Sequence, residues 1–167
     1  MADGQESEAT AQVSLSDSLF RAGPVTLLRG FRRAIDRYLA GAQQETNFGE
    51  TFIPLFEALN WAVSLRDRLK SAGHPVQHRL GSALGYARDR VHHDWAGALH
   101  PRMSDASVEW FWKPIEQLPP PSGGRKRDAN AYTELLAGRS AHTTLTELRA
   151  LFEESIRAAF GSPPGPP

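Results

Sequence analysis

Apolar residues recur at steps of three and four along most of the chain, the period of helices with one buried face. Leu28, Phe31, Ile35 and Tyr38 define a first helix, which Pro24 is expected to open. In a second, Pro54 suits a first-turn position, and Leu55, Leu59, Ala62, Val63 and Leu69 carry the stripe to the breakers Gly73 and Pro75. A third is expected from about Gln77 to Leu99 and a short fourth over about Ala129–Ala137. The last runs over about Thr143–Phe160, with Leu145, Leu148, Leu151, Phe152, Ile156 and Phe160 inward. Only the stretch "SVEWFWKP" departs from the period. There Val108, Trp110 and Trp112 alternate with Glu109 and Phe111, which predicts a short strand-like or irregular insertion around residues 107–113. Its aromatics could stack on bases, but a flap covering one end of the core is the preferred reading. The pattern as a whole predicts an all-α bundle of four or five helices carrying that insertion.

With 167 residues the chain has room for one domain of ordinary size. Residues 1–22 are small, polar and acidic, and the tail 161–167 is rich in Pro and Gly. Neither holds enough apolar surface to offset the entropy of ordering, so the bundle is expected over 23–160 between disordered ends. Nineteen Lys and Arg balance nineteen Asp and Glu, so a nucleic-acid partner would have to be drawn by a local patch. Sixteen of those cations are arginine, a side chain suited to bidentate phosphate contacts, although a GC-rich genome gives the same bias. The absence of cysteine excludes disulfides, thiolate metal sites and cysteine nucleophiles. No apolar run is long enough to span a bilayer, and the acidic start is unlike a signal peptide; a cytoplasmic protein with no membrane contact is expected.

The third helix carries the densest chemistry, "RDRVHHDW" at 88–95. With Val91 at the centre of the inward face, Leu80, Leu84, Ala87, Trp95 and Ala98 fall beside it. The opposite side holds Ser82, Gly85, Tyr86, Asp89, His93, Ala96, Gly97 and His100, too small and too uncharged for a solvated face. That predicts a helix packed on both sides, with a second copy of the chain against Gly85, Tyr86, Asp89, His93 and Gly97. His92, His93, Asp94, His74 and His78 offer ligand types for a metal. Adjacent histidines diverge on a helix, however, and two arginines repel a divalent cation, so neither metal nor cofactor is expected. A salt-bridged surface helix and a phosphate site remain.

Arg88, Asp89 and His93, with four residues between the arginine and the histidine, resemble the R-x(4–6)-H signature of the HEPN superfamily of small helical-bundle proteins. Trp95 stands where the HepT-like toxins of that superfamily carry a tyrosine that an antitoxin can modify; lacking a hydroxyl, it does not support that regulation. The resemblance covers about residues 24–160. It implies a metal-independent endoribonuclease of a toxin or phage-defence kind, working as a homodimer and held in check by an antitoxin or regulatory protein, or else a relative that has kept only RNA or protein binding. It also implies roles for Arg88 on the scissile phosphate, His93 in proton transfer and Asp89 in orienting them, chemistry that these residue types can perform. His92, four residues from Arg88, is the substitute on helix geometry. Glu57 and Asn60 are candidates to support the motif from the second helix, and Arg29, Arg32, Arg33 and Arg37 to hold an RNA backbone.

Overall fold

A computed structural model describes the backbone of residues 3–42, 48–104, 107–119 and 126–161, and the side chains of these except 3–22, 48–49, 78, 95–96, 104 and 126–127. Among the described residues the fold is helical with one small hairpin. Its elements are α1 (Asp3–Ala42), α2 (Phe48–Ser71), α3 (His78–Asp94), β1 (Leu99–Ser104), β2 (Ser107–Trp112), α4 (Lys126–Leu135) and α5 (Ala141–Phe160). The helical period therefore placed the five helices correctly, but their ends differ. Both prolines lie inside helices rather than opening them. Pro54 has no N–H to donate to the carbonyl of Glu50. That carbonyl oxygen stands 3.1 Å from where a Cβ on Gly41 of α1 would be, so a side chain at 41 would crowd it. The third helix stops at Asp94, tightens into a 3₁₀ turn over Trp95–Ala98, and gives way to a strand at Leu99, where a helix was expected to continue. The tail 162–167 lies outside the described residues, and so do the side chains of 1–22.

α1 and α2 form an antiparallel hairpin whose register is fixed by Gly30 against Trp61 and by the Arg37–Glu57 ion pair. α5 closes on α1 through Phe31 and Phe152, edge to face at 5.5 Å, flanked by Arg32–Glu153 at 2.7 Å and Arg149–Asp36 at 3.0 Å. α3 lies between α2 and α4. Tyr86 on α3 packs at 5.1 Å on Tyr132 of α4, whose hydroxyl donates to the carbonyl of Lys113 at 2.7 Å.

The aromatic segment is β2, antiparallel to β1 with Leu99 opposite Trp112 and Ser104 opposite Ser107. Val108, Trp110 and Trp112 point inward and are buried, as their alternation predicted. Each indole N–H finds a threonine hydroxyl: Trp110 donates to Thr51 of α2 at 2.9 Å and Trp112 to Thr144 of α5 at 3.1 Å. A buried N–H without a partner is costly, so these bonds let both tryptophans join the core. The other edge of β2 is tied to the turn before α5, with Trp112 N–H donating to the Arg139 carbonyl and Gly138 N–H to the Trp112 carbonyl. Gly138 has a φ of +74°, which favours glycine there. Trp110 and Trp112 are thus spent on packing.

Candidate functional site

The site begins with two glycines on α3. Gly81 and Gly85 are one turn apart, and Arg66 of α2 lies across both. A Cβ at Gly81 would meet Arg66 Cδ at 3.0 Å, and one at Gly85 would meet Arg66 Nη1 at 3.0 Å. The same Nη1 donates to the carbonyl oxygen of Gly81, while Nη2 sits 2.6 Å from Asp67. The small residues on the back of the third helix are therefore filled from within the chain, by Arg66 at Gly81 and Gly85 and by Tyr132 at Tyr86. α3 is packed on both sides, as expected. Tyr86, buried against α4, is not available to a second copy, whereas Gly85, with Arg66 over it, still lines the cleft beside it.

Beside Arg66 a cleft of about 430 Å³ opens between α2, α3 and the start of α4. Arg66, Asp67, Lys70, Ser82, Arg88, Asp89 and Asp128 supply its polar groups, three cations facing three carboxylates. Arg88 and Asp89 are brought together there, with Nη1 3.4 Å from Oδ1, and their side chains are 36% and 19% exposed. Arg88 Nε is buried without a hydrogen-bond partner among the described residues. Nε is shielded from the cleft, so an anion there would meet the terminal nitrogens of this 36%-exposed side chain.

His93 is exposed and lies outside that lining. Five residues beyond Arg88, it is rotated from it by about 140° around the helix, so one copy of α3 cannot aim both side chains at a single atom. His92 is exposed and stacks on Phe56 of α2 at 6.0 Å, with the His93 ring edge-on to it at 5.5 Å. It stays on the Arg88 flank, as helix spacing predicts, but its ring is engaged by α2.

Arg90 and Asp94 are also in the motif. Their side chains are mostly buried and approach to 3.6 Å, and Arg90 lies 5.5 Å over the Tyr86 ring. Burial raises the Tyr86 phenol above its ordinary value; Arg90 opposes that shift and Asp94 adds to it. These contacts all lie within α3, so this half of "RDRVHHDW" braces the helix itself.

The supporting candidates turn the other way. Glu57 pairs with Arg37 of α1, Asn60 donates to the Phe56 carbonyl at 3.1 Å, and both line a groove between α1 and α2 instead of the Arg88 cleft. The four arginines of the first helix do not act as one face. Arg32 is committed to Glu153 and Arg37 to Glu57, while Arg29 and Arg33 are exposed. His74 is exposed and meets the Phe160 ring edge-on at 5.7 Å, and the side chain of His78 lies outside the described residues. Among the described residues no three His, Asp or Glu side chains gather as metal ligands, and no helix is long and apolar enough to cross a membrane.

Arg66, Lys70 and Asp128 were not anticipated. The signal for Arg66 was present in Gly81 and Gly85, whose spacing marks a strip where something bulky lies on the helix. Comparison of the chain with protein-family models, with curated proteins and with solved structures finds no match.

Proposed function

We propose that the protein is a HEPN-like, metal-independent endoribonuclease that works as a homodimer. Arg88 grips the scissile phosphate in the cleft, and His93 of a second copy exchanges the proton with the ribose 2′-hydroxyl or the leaving oxygen. Asp89, beside Arg88, orients its guanidinium. The observation that supports this reading is a partly exposed Arg88 lining a polar cleft beside Asp89, while an exposed His93 stands further along the same helix. Because the two diverge on one helix, the reaction requires two copies meeting at the end of α3 around Asp89, His93 and Gly97. Attack by a 2′-hydroxyl leaves a 2′,3′-cyclic phosphate and needs no metal-bound water.

A second reading is a module that binds RNA or a partner protein without cutting. The position of His93 outside the cleft favours it. Purified protein incubated with total RNA, with and without chelator, separates the two. Chelator-resistant cleavage leaving 2′,3′-cyclic phosphate ends supports the nuclease, and a folded protein that cuts no RNA supports the binding module.

A further inference from the structure

The indole of Trp61 lies on α1 at Gly30. A Cβ there would stand 2.8 Å from both Cδ2 and Cε2 of the ring and 3.1 Å from Cε3. Three carbons at nearly equal distance mean that the ring presents its face, rather than its edge, to α1. Trp61 is nevertheless 37% exposed, and no ring, guanidinium or hydrogen-bond acceptor among the described residues engages it. A helix-interior glycine weakens the helix, and here it lets a large aromatic lie flat on α1 while over a third of its surface stays in solvent.

The groove around it, about 500 Å³, is lined by Gly30, Arg33, Arg37, Glu57, Asn60 and Trp61. Arg37 and Glu57 neutralise each other. Arg33 is exposed and carries no ion pair among the described residues, so the groove has one uncommitted cation, with exposed Arg29 one turn before it. Asn60 spends one N–H on the Phe56 carbonyl and keeps its own carbonyl oxygen and second N–H for a ligand. A flat π surface beside a cation and an amide matches a planar heterocycle joined to a phosphate. Bases stack on such surfaces without regard to sequence, and arginine tracks the backbone.

We propose that Trp61 is a stacking platform for an unpaired base of single-stranded RNA, with Arg33 holding that nucleotide's phosphate and Asn60 meeting the base edge. This rests on the reading of RNA as the partner, and it places a holding site on the α1–α2 face, apart from the Arg88 cleft.

The test is anisotropy titration of a labelled short single-stranded RNA with the full chain at low salt. Trp61→Ala should weaken binding about tenfold or more, while Trp61→Phe should keep most of it. Gly30→Ala, which displaces the indole without removing it, should weaken binding as well. Arg33→Ala should reduce the slope of log affinity against log salt by about one. If the parent binds the strand and Trp61→Ala and Gly30→Ala bind it equally well, the platform is overturned while RNA recognition stands. If the parent binds no RNA of any length, RNA recognition falls with it. A mononucleotide that displaces the strand at equal concentration overturns the assignment to a strand.

Discussion

Arg66 reaches from α2 onto α3 and donates a hydrogen bond to the carbonyl oxygen of Gly81, so the cleft that holds Arg88 is built on a guanidinium lying across a glycine. Removing the donor by Arg66→Met should lower stability by about 1–2 kcal/mol. Gly85→Leu pushes a branched side chain against the same guanidinium but also removes a helix-interior glycine, so its net effect should stay within about 1 kcal/mol. Denaturant unfolding measures both. Light scattering should show the Gly85→Leu oligomeric state unchanged, because it is Arg66 of the same chain that lies over Gly85; dissociation of a dimer would return Gly85 to an intermolecular contact.

The hairpin should be a stability element. Thr144→Val leaves the buried Trp112 N–H unpaired and should cost about 1–3 kcal/mol. Trp112→Ala should cost about 3–5 kcal/mol. Thermal unfolding checks the order, and a Thr144→Val protein as stable as the parent would contradict the account of the indole bonds.

All three tyrosines resist ionisation. Burial pushes Tyr38 up to about 12 and raises Tyr132 and Tyr86 above the ordinary 10.0. A raised folded value means that the unfolded chain releases its protons first. The stability these groups contribute is therefore complete below pH 10.0 and is lost as pH rises towards their folded values. An absorbance titration should show less tyrosinate near pH 10 than the unfolded chain does, and most of the rise together with unfolding. Three independent ionisations at pH 10 would contradict the burial of these rings.

Acid acts through other groups with the opposite sign. Burial opposes ionisation of Glu153, but hydrogen bonds and ion pairs to Arg32 and Arg149 win and hold it below its ordinary 4.5. Burial, then Arg102 and Lys113, keep His100 below its ordinary 6.5. Both values are depressed on folding, so the unfolded state binds more protons at low pH. The His100 contribution should begin to fade as pH drops through 6.5 and the Glu153 contribution as it drops through 4.5. Glu153→Gln should flatten the lower limb of a stability against pH curve and leave the upper one.

The helices and the inward tryptophans were legible in the sequence because burial imposes its period directly: every second residue in β2, every third or fourth elsewhere. β1 was not. Leu99 continues the apolar stripe of α3, and the alternation that reveals β2 is broken in β1 by Pro101. Pro24 and Pro54 misled as helix starts because a proline marks a missing hydrogen bond without fixing where in the helix it falls. Gly85 revealed a close approach but not its source, since a long arginine from α2 satisfies a bare helix face as well as a second helix would. Arg88, Asp89 and His93 could be named from their spacing. That Arg88 faces the cleft and His93 does not depends on α2 and α4, which the motif cannot encode.

Cleavage by a mixture of two damaged variants tests the shared site most directly. Arg88→Ala and His93→Ala should each lower cleavage by about 10²–10⁴-fold, with little change in melting temperature because both side chains lie at the edge of the core. Refolded together in equal amounts, they should recover about a quarter of the parent rate, since half of the dimers are mixed and one of the two sites in each is whole. A mixture no more active than its components would contradict a site built from two copies of α3.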